Sequence, residues 1–237
     1  MPARIPALLL GAVLLGAAAP APRPVVVELF TSEGCSSCPP AEALLADLAH
    51  SRRDVLPLAF HITYWDRLGW PDPYSLPAAT ARQRAYVPLL GATAATGSVY
   101  TPQMVIDGRQ DALGSDRDAV LAAIRAAARD PSVPVSLALR GGSLSVRVAQ
   151  ADGAPPSRLL LVGYDRHHRT AIRRGENAGL TLNEANVVRS LTDLGPWRGE
   201  AVARSVPAPA GETFALLLQR DDGPIVGAAV AGGSPAS

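Results

Sequence analysis

Cys35 and Cys38 are the only two cysteines in a chain of 237 residues, and only Ser36 and Ser37 separate them. A thiol pair at this spacing can close a small disulfide, reopen as a dithiol, or hold a soft metal. Its neighbours narrow the choice. Residues 25–30, Val-Val-Val-Glu-Leu-Phe, form an apolar, β-branched run that reads as a buried strand, and a turn from Thr31 to Gly34 follows. Ala41, Leu44, Leu45 and Leu48 then recur at i, i+3, i+4 and i+7, the apolar stripe of a helix over 35–49. The pair therefore opens a helix, where unpaired N–H groups and the helix dipole stabilise a thiolate. Cys35 is expected to be the exposed nucleophile and Cys38 the more buried resolving thiol. A bridge across so short a loop removes little chain entropy, so a purely structural role would add little stability.

The elements that must position the pair follow from the same patterns. After the first strand and helix, Val55 to Ile62 reads as a second strand. Residues 63–100 read as an insertion holding Tyr64, Trp65 and Trp70, with a helix opened by Ser75-Leu76-Pro77. Gln103 to Ile106, Asp107-Gly108 and Gln110 to Leu113 read as a hairpin, and a capped helix starts near Ser115. From Val133 onward short apolar runs alternate with Gly-Gly and Asp-Gly turns, a small β-sandwich pattern. The expected architecture is a thioredoxin-like α/β domain over 22–131 with the insertion at 63–100, followed by a mainly-β, sandwich-like region over 132–237.

That architecture nominates further residues. Thr101-Pro102 precedes a strand, at the point where thioredoxin folds place a cis-proline facing the dithiol; Pro102 is therefore expected to be cis, and Thr101 to meet substrate. Glu28 is a carboxylate within an apolar strand; buried near the sulfurs it would move protons for Cys38, and on the other strand face it would not. Tyr64, Trp65 and Trp70 would wall a substrate groove or pack the insertion onto the core. His61 would orient substrate or join Cys35 and Cys38 as a soft-metal ligand; a structural role is the simpler expectation.

Composition excludes several classes. Basic and acidic residues number 22 and 21, for a net charge of +1, with no basic stripe for nucleic acid. Every basic residue among the 22 is Arg, so no Lys can form a Schiff base or a P-loop cation. No second C-x-x-C completes a zinc ribbon, and no Gly-rich phosphate loop implies a nucleotide, so no cofactor is expected. Arg4, the apolar run Ile5 to Leu15 and Gly16-Ala17-Ala18-Ala19 read as a secretory signal over 1–21, too short for the ~20 residues of a membrane span. Disulfides persist after export, so a secreted or periplasmic setting is expected, with protein thiols or disulfides, or a redox partner protein, as partners.

The run Val26-Val27-Glu28-Leu29-Phe30-Thr31-Ser32-Glu33-Gly34-Cys35-Ser36-Ser37-Cys38-Pro39-Pro40-Ala41 resembles the opening of a secreted thioredoxin-like family catalogued as domain of unknown function 1223. The resemblance extends through His61-Ile62-Thr63-Tyr64-Trp65-Asp66-Arg67-Leu68-Gly69-Trp70, Tyr100-Thr101-Pro102-Gln103, Arg174-Gly175-Glu176-Asn177 and Asn186-Val187-Val188-Arg189. It implies a thioredoxin-like fold with an appended C-terminal region and leaves the function open. Three functions are compatible with these features: a thiol–disulfide oxidoreductase, a non-catalytic copper-binding module, and an envelope interaction protein with an inert disulfide.

Overall fold

A computed structural model describes residues 23–90 and 98–232. The expected signal segment lies outside the described residues, as does part of the 63–100 insertion.

The first strand, β1 (Val25–Thr31), is buried along its whole length, as its unbroken apolar run requires. Helix α1 (Pro39–Ser51) returns the chain to β2 (Val55–His61), which pairs with β1 in parallel. Helix α2 (Pro77–Leu90) precedes the hairpin of β3 (Gln103–Ile106) and β4 (Gln110–Leu113). Asp107 and Gly108 both take positive φ in its turn, the conformation for which Asp-Gly is suited. Helix α3 (Arg117–Ala127) follows, capped by the Asp116 side chain on the Ala119 N–H.

Beyond α3 the regular elements among the described residues are all strands: β5 (Val135–Arg140), β6 (Ser143–Val148), β7 (Ser157–Ala171), β8 (Thr181–Trp197), β9 (Val202–Pro207), β10 (Thr213–Arg220) and β11 (Ile225–Gly232). These strands do not form a sandwich of their own. One eight-stranded mixed sheet runs β11-β10-β7-β8-β2-β1-β3-β4, and only β5-β6-β9 form a second, three-stranded sheet. The expected thioredoxin-like α/β domain with an appended β region is corrected to a mostly-β fold, with three α-helices among the described residues.

The reason lies in β7 and β8, at 15 and 17 residues much longer than the runs legible in the sequence. Strand β8 docks in parallel on the free edge of β2 at Ala59↔Val187. Pro57 interrupts that edge because it has no N–H to donate. Asn186, at φ 51°, turns its side-chain amide onto the Pro57 carbonyl at 2.8 Å and closes the seam.

Strand alternation divides the core. Val26 and Phe30 of β1 face Tyr86 and Ala79 of α2, whereas Val25, Val27 and Leu29 face α1 and α3 through Leu45, Leu48 and Ile124. The three-stranded sheet covers the latter face farther along, packing Leu144 and Val146 on Phe214, Leu216 and Trp197.

Candidate functional site

Cys38 is the N-cap residue of α1, and Pro39 and Pro40 occupy the first helical positions, where a missing N–H costs nothing. Cys35 and Cys38 form a disulfide, with their Cα atoms 5.4 Å apart. The turn is held by Cys35 N donating to Ser32 O at 3.0 Å and Cys38 N to Cys35 O at 3.1 Å. Ser36 and Ser37 are exposed, but both cysteines are fully buried at 0%. The expected exposure of Cys35 is thus not met, because three segments close over it.

The first cover is Thr101-Pro102, whose peptide bond is cis as expected. Thr101 Oγ1 donates to Cys35 Sγ at 3.4 Å and itself accepts from Trp65 Nε1 at 2.8 Å. Ser37 Oγ also lies 3.4 Å from Cys35 Sγ. The second cover is the 63–76 segment. Trp70 Nε1 donates to Glu33 Oε2 at 2.6 Å, two residues before Cys35.

The third cover went unrecognised as a site element in the sequence. The loop of residues 172–180 joins β7 to β8 and reaches back to the disulfide. Buried Asn177 donates its amide to Glu33 O at 2.8 Å and to Cys35 O at 3.0 Å. Glu176 accepts from the Ser36 N–H at 3.2 Å and from Ser36 Oγ at 2.6 Å, and these bonds hold its carboxyl below the usual range. Gly175 packs against Trp70 at φ 83°, where a side chain would be both crowded and strained. The Arg174-Gly175-Glu176-Asn177 run could have pointed to this loop, since a polar run with Gly between two strands marks a turn.

Of the remaining expected residues, Trp65, Trp70, Thr101 and Pro102 gather at the disulfide. Tyr64 stands behind them: its hydroxyl donates to Gln83 of α2 at 3.1 Å and also engages the Thr101 side chain. Glu28 points with Val26 and Phe30 to the α2 face, opposite α1. There it accepts from Arg82 Nη2 at 3.0 Å and from the Tyr86 hydroxyl. Gln219 completes the set, donating to Tyr86 Oη at 3.0 Å. Glu28 is therefore the counterion of a buried arginine.

His61 is committed elsewhere. Its Nδ1 lies 2.7 Å from Asp72 Oδ2, which also accepts from Glu33 N at 2.8 Å, and its Nε2 lies 3.5 Å from Glu184 Oε1. Burial would lower the His61 pKa, but Asp72, Glu184 and Glu42 overcome it and push it up to about 10. Burial raises the carboxyl of Glu184 against the attraction of His61. The soft-metal set of Cys35, Cys38 and His61 does not assemble: the sulfurs are bonded to each other and both imidazole nitrogens face carboxylates. Among the described residues no group of three or more His, Cys, Asp or Glu is placed to hold a metal.

A mixed β-sheet carrying a C-x-x-C disulfide at a helix N-terminus, walled by a cis-proline and a clamping hairpin loop, defines the class of protein. More specifically, the chain belongs to the family described as protein of unknown function (DUF1223), whose model matches residues 26–219. No curated protein matches it. The crystal structure of protein AGR_C_4864 from Agrobacterium tumefaciens is similar, with a TM-score of 0.78 and 28% identity over 92% of this chain and 98% of that one. HBP35 of Porphyromonas gingivalis shares the fold at a TM-score of 0.57 and 14% identity, over 91% of this chain and 78% of that one.

Proposed function

We propose that the protein is a thiol–disulfide oxidoreductase acting outside the cytosol on protein or small-molecule thiols and disulfides. The supporting observation is the Cys35–Cys38 disulfide at the start of α1, with Thr101 Oγ1 aimed at Cys35 Sγ. A substrate thiolate attacks Cys35 Sγ, the bond to Cys38 breaks, and Cys38 leaves as the thiolate or thiol. In the opposite direction Cys35 attacks a substrate disulfide and Cys38 resolves the mixed disulfide. The dipole of α1 stabilises the sulfur anion that forms, without help from N–H groups at its first two positions, which Pro39 and Pro40 occupy. Because Cys35 is covered, exchange requires the Trp65–Thr101 contact or the Asn177 clamp to open. Export, the setting in which such a pair persists oxidised, rests on the Ile5 to Leu15 run and the small residues after it.

The complete burial of both cysteines favours one other reading, an inert disulfide that pins the β1–α1 turn. Single substitutions separate the two. Cys38→Ser should accumulate a mixed disulfide between Cys35 and a model disulfide substrate, and Cys35→Ser should not. If the parent chain does not exchange with thiols and neither variant exchanges with disulfides, the inert reading holds.

A further inference from the structure

Behind the disulfide lies a buried cluster of charge that the exchange chemistry above does not use. Glu33, Glu42, His61, Asp72 and Glu184 are each 5% exposed or less. They converge from the β1–α1 turn, α1, the end of β2, the segment before α2, and β8. If every carboxyl were ionised, one imidazolium would face four carboxylates, an imbalance that a buried site cannot sustain. The cluster must retain protons. His61 Nε2, Glu33 Oε1 and both oxygens of Glu184 are buried without a hydrogen-bond partner, and His61 Nε2 lies 3.5 Å from Glu184 Oε1.

One member shares the first turns of α1 with Cys38. Glu42 follows Cys38 by one helical turn: its N–H donates to Cys38 O at 3.1 Å, and Cys38 has helical dihedrals of −81° and −33°. Residues four apart share a helix face, and side chains lean toward the N-terminus, so the Glu42 carboxyl lies over the turn that carries Cys38. Thr31 Oγ1 fixes Glu42 Oε1 at 2.7 Å.

We propose that Glu42 exchanges the proton that the Cys38 sulfur takes up and releases, with the buried cluster as its proton reservoir. The inference rests on the exchange reading above. When a substrate thiolate attacks Cys35 Sγ, the sulfur–sulfur bond breaks and its electron pair goes to Cys38 Sγ, which takes the proton of the Glu42 carboxyl. The products are a mixed disulfide at Cys35, a Cys38 thiol and a Glu42 carboxylate. In reverse, the carboxylate removes the Cys38 proton as Cys38 attacks Cys35, and the substrate departs as a thiolate. The groups facing Glu42 set its readiness: burial, Asp72 and Glu33 raise its pKa, His61 and the Thr31 hydroxyl lower it, and Glu184 of β8 faces it as a second raised carboxyl; the balance lies above the ordinary carboxyl value. Glu28 cannot serve, because it lies on the opposite sheet face.

The test is reduction of the full chain by dithiothreitol across pH 5 to 9, with thiol trapping and rates expressed per dithiothreitol thiolate. Glu42→Gln keeps an acceptor for Thr31 but loses the proton. The parent rate constant should fall as pH rises through the Glu42 titration. Glu42→Gln should be about a hundredfold slower at the acid end and independent of pH, as expected for loss of a general acid. Coincident profiles for parent and variant overturn the proposal. So does a parent profile that is flat throughout, which decides the matter even if the variant does not fold. A parent disulfide that resists dithiothreitol at every pH overturns the exchange reading itself, whereas ready reduction with no dependence on Glu42 overturns only the role of Glu42.

Discussion

The side-chain amide of Asn177 donates to the carbonyl of Cys35 at 3.0 Å across 142 positions of sequence. The same amide reaches Glu33 O, so one buried residue of the β7–β8 loop fixes the backbone on the approach to Cys35. The loop between the two longest strands of the eight-stranded sheet thus closes on the disulfide that opens α1.

That contact carries the first prediction. Asn177→Ala removes the side-chain donor from Glu33 O and leaves Cys35 O only the Cys38 N–H, and should destabilise the fold by about 1–3 kcal/mol. It should also loosen the cover over Cys35 and speed reduction of the disulfide several-fold. Urea unfolding and dithiothreitol kinetics on one preparation check both. A destabilised variant reduced at the parent rate would show that the loop does not gate access.

The buried ion pair on the opposite sheet face behaves differently. Arg82→Met removes the partner of Glu28, whose side chain is 0% exposed, and should cost about 3–5 kcal/mol. The reduction potential of the Cys35–Cys38 pair should not move, because α1 and the disulfide lie across the sheet. A shifted potential would mean that Glu28 is coupled to the sulfurs after all.

Stability should depend on alkaline pH. The folded pKa of His61 is pushed up to about 10 from an ordinary value near 6.5. A raised histidine contributes stability that is fully present below about pH 6.5 and lost as pH rises through about 10. The raised carboxyl of Glu184 acts in the same direction, favouring the folded state less as pH climbs above the ordinary carboxyl range. Thermal unfolding at pH 6 and pH 10 should show a fall in Tm of roughly 5–10 °C. His61→Gln should flatten much of that slope, and an unchanged slope would remove His61 as its source.

Much of the site's frame was legible because its signals are local. The Val25 to Phe30 run, the stripe through Ala41 and Leu48, and Asp107-Gly108 each specify an element within a few residues, and all three form. Pro102 was legible from its place before β3. The continuity of the sheet was not. Strand β8 reads Thr-Leu-Asn-Glu-Ala-Asn, a polar alternation without an apolar run, and its docking on β2 depends on Asn186 meeting a proline 129 positions away. Glu28 illustrates the limit of strand patterns: alternation allowed either face, and only α2, by presenting Arg82 and Tyr86, decided between them. Glu42 drew no notice because a charged residue beside a helix stripe ordinarily faces water. Its burial comes from Thr31 and from β8, which no local window contains.

The most direct test of the exchange account is the reduction potential of the Cys35–Cys38 pair, measured by equilibrating the protein in glutathione buffers and trapping free thiols. The account predicts a value between about −120 and −270 mV, reached by rapid exchange, the range of dithiols that trade electrons with protein substrates. A value below about −300 mV, approached slowly, would contradict it and identify the disulfide as a structural pin of the β1–α1 turn.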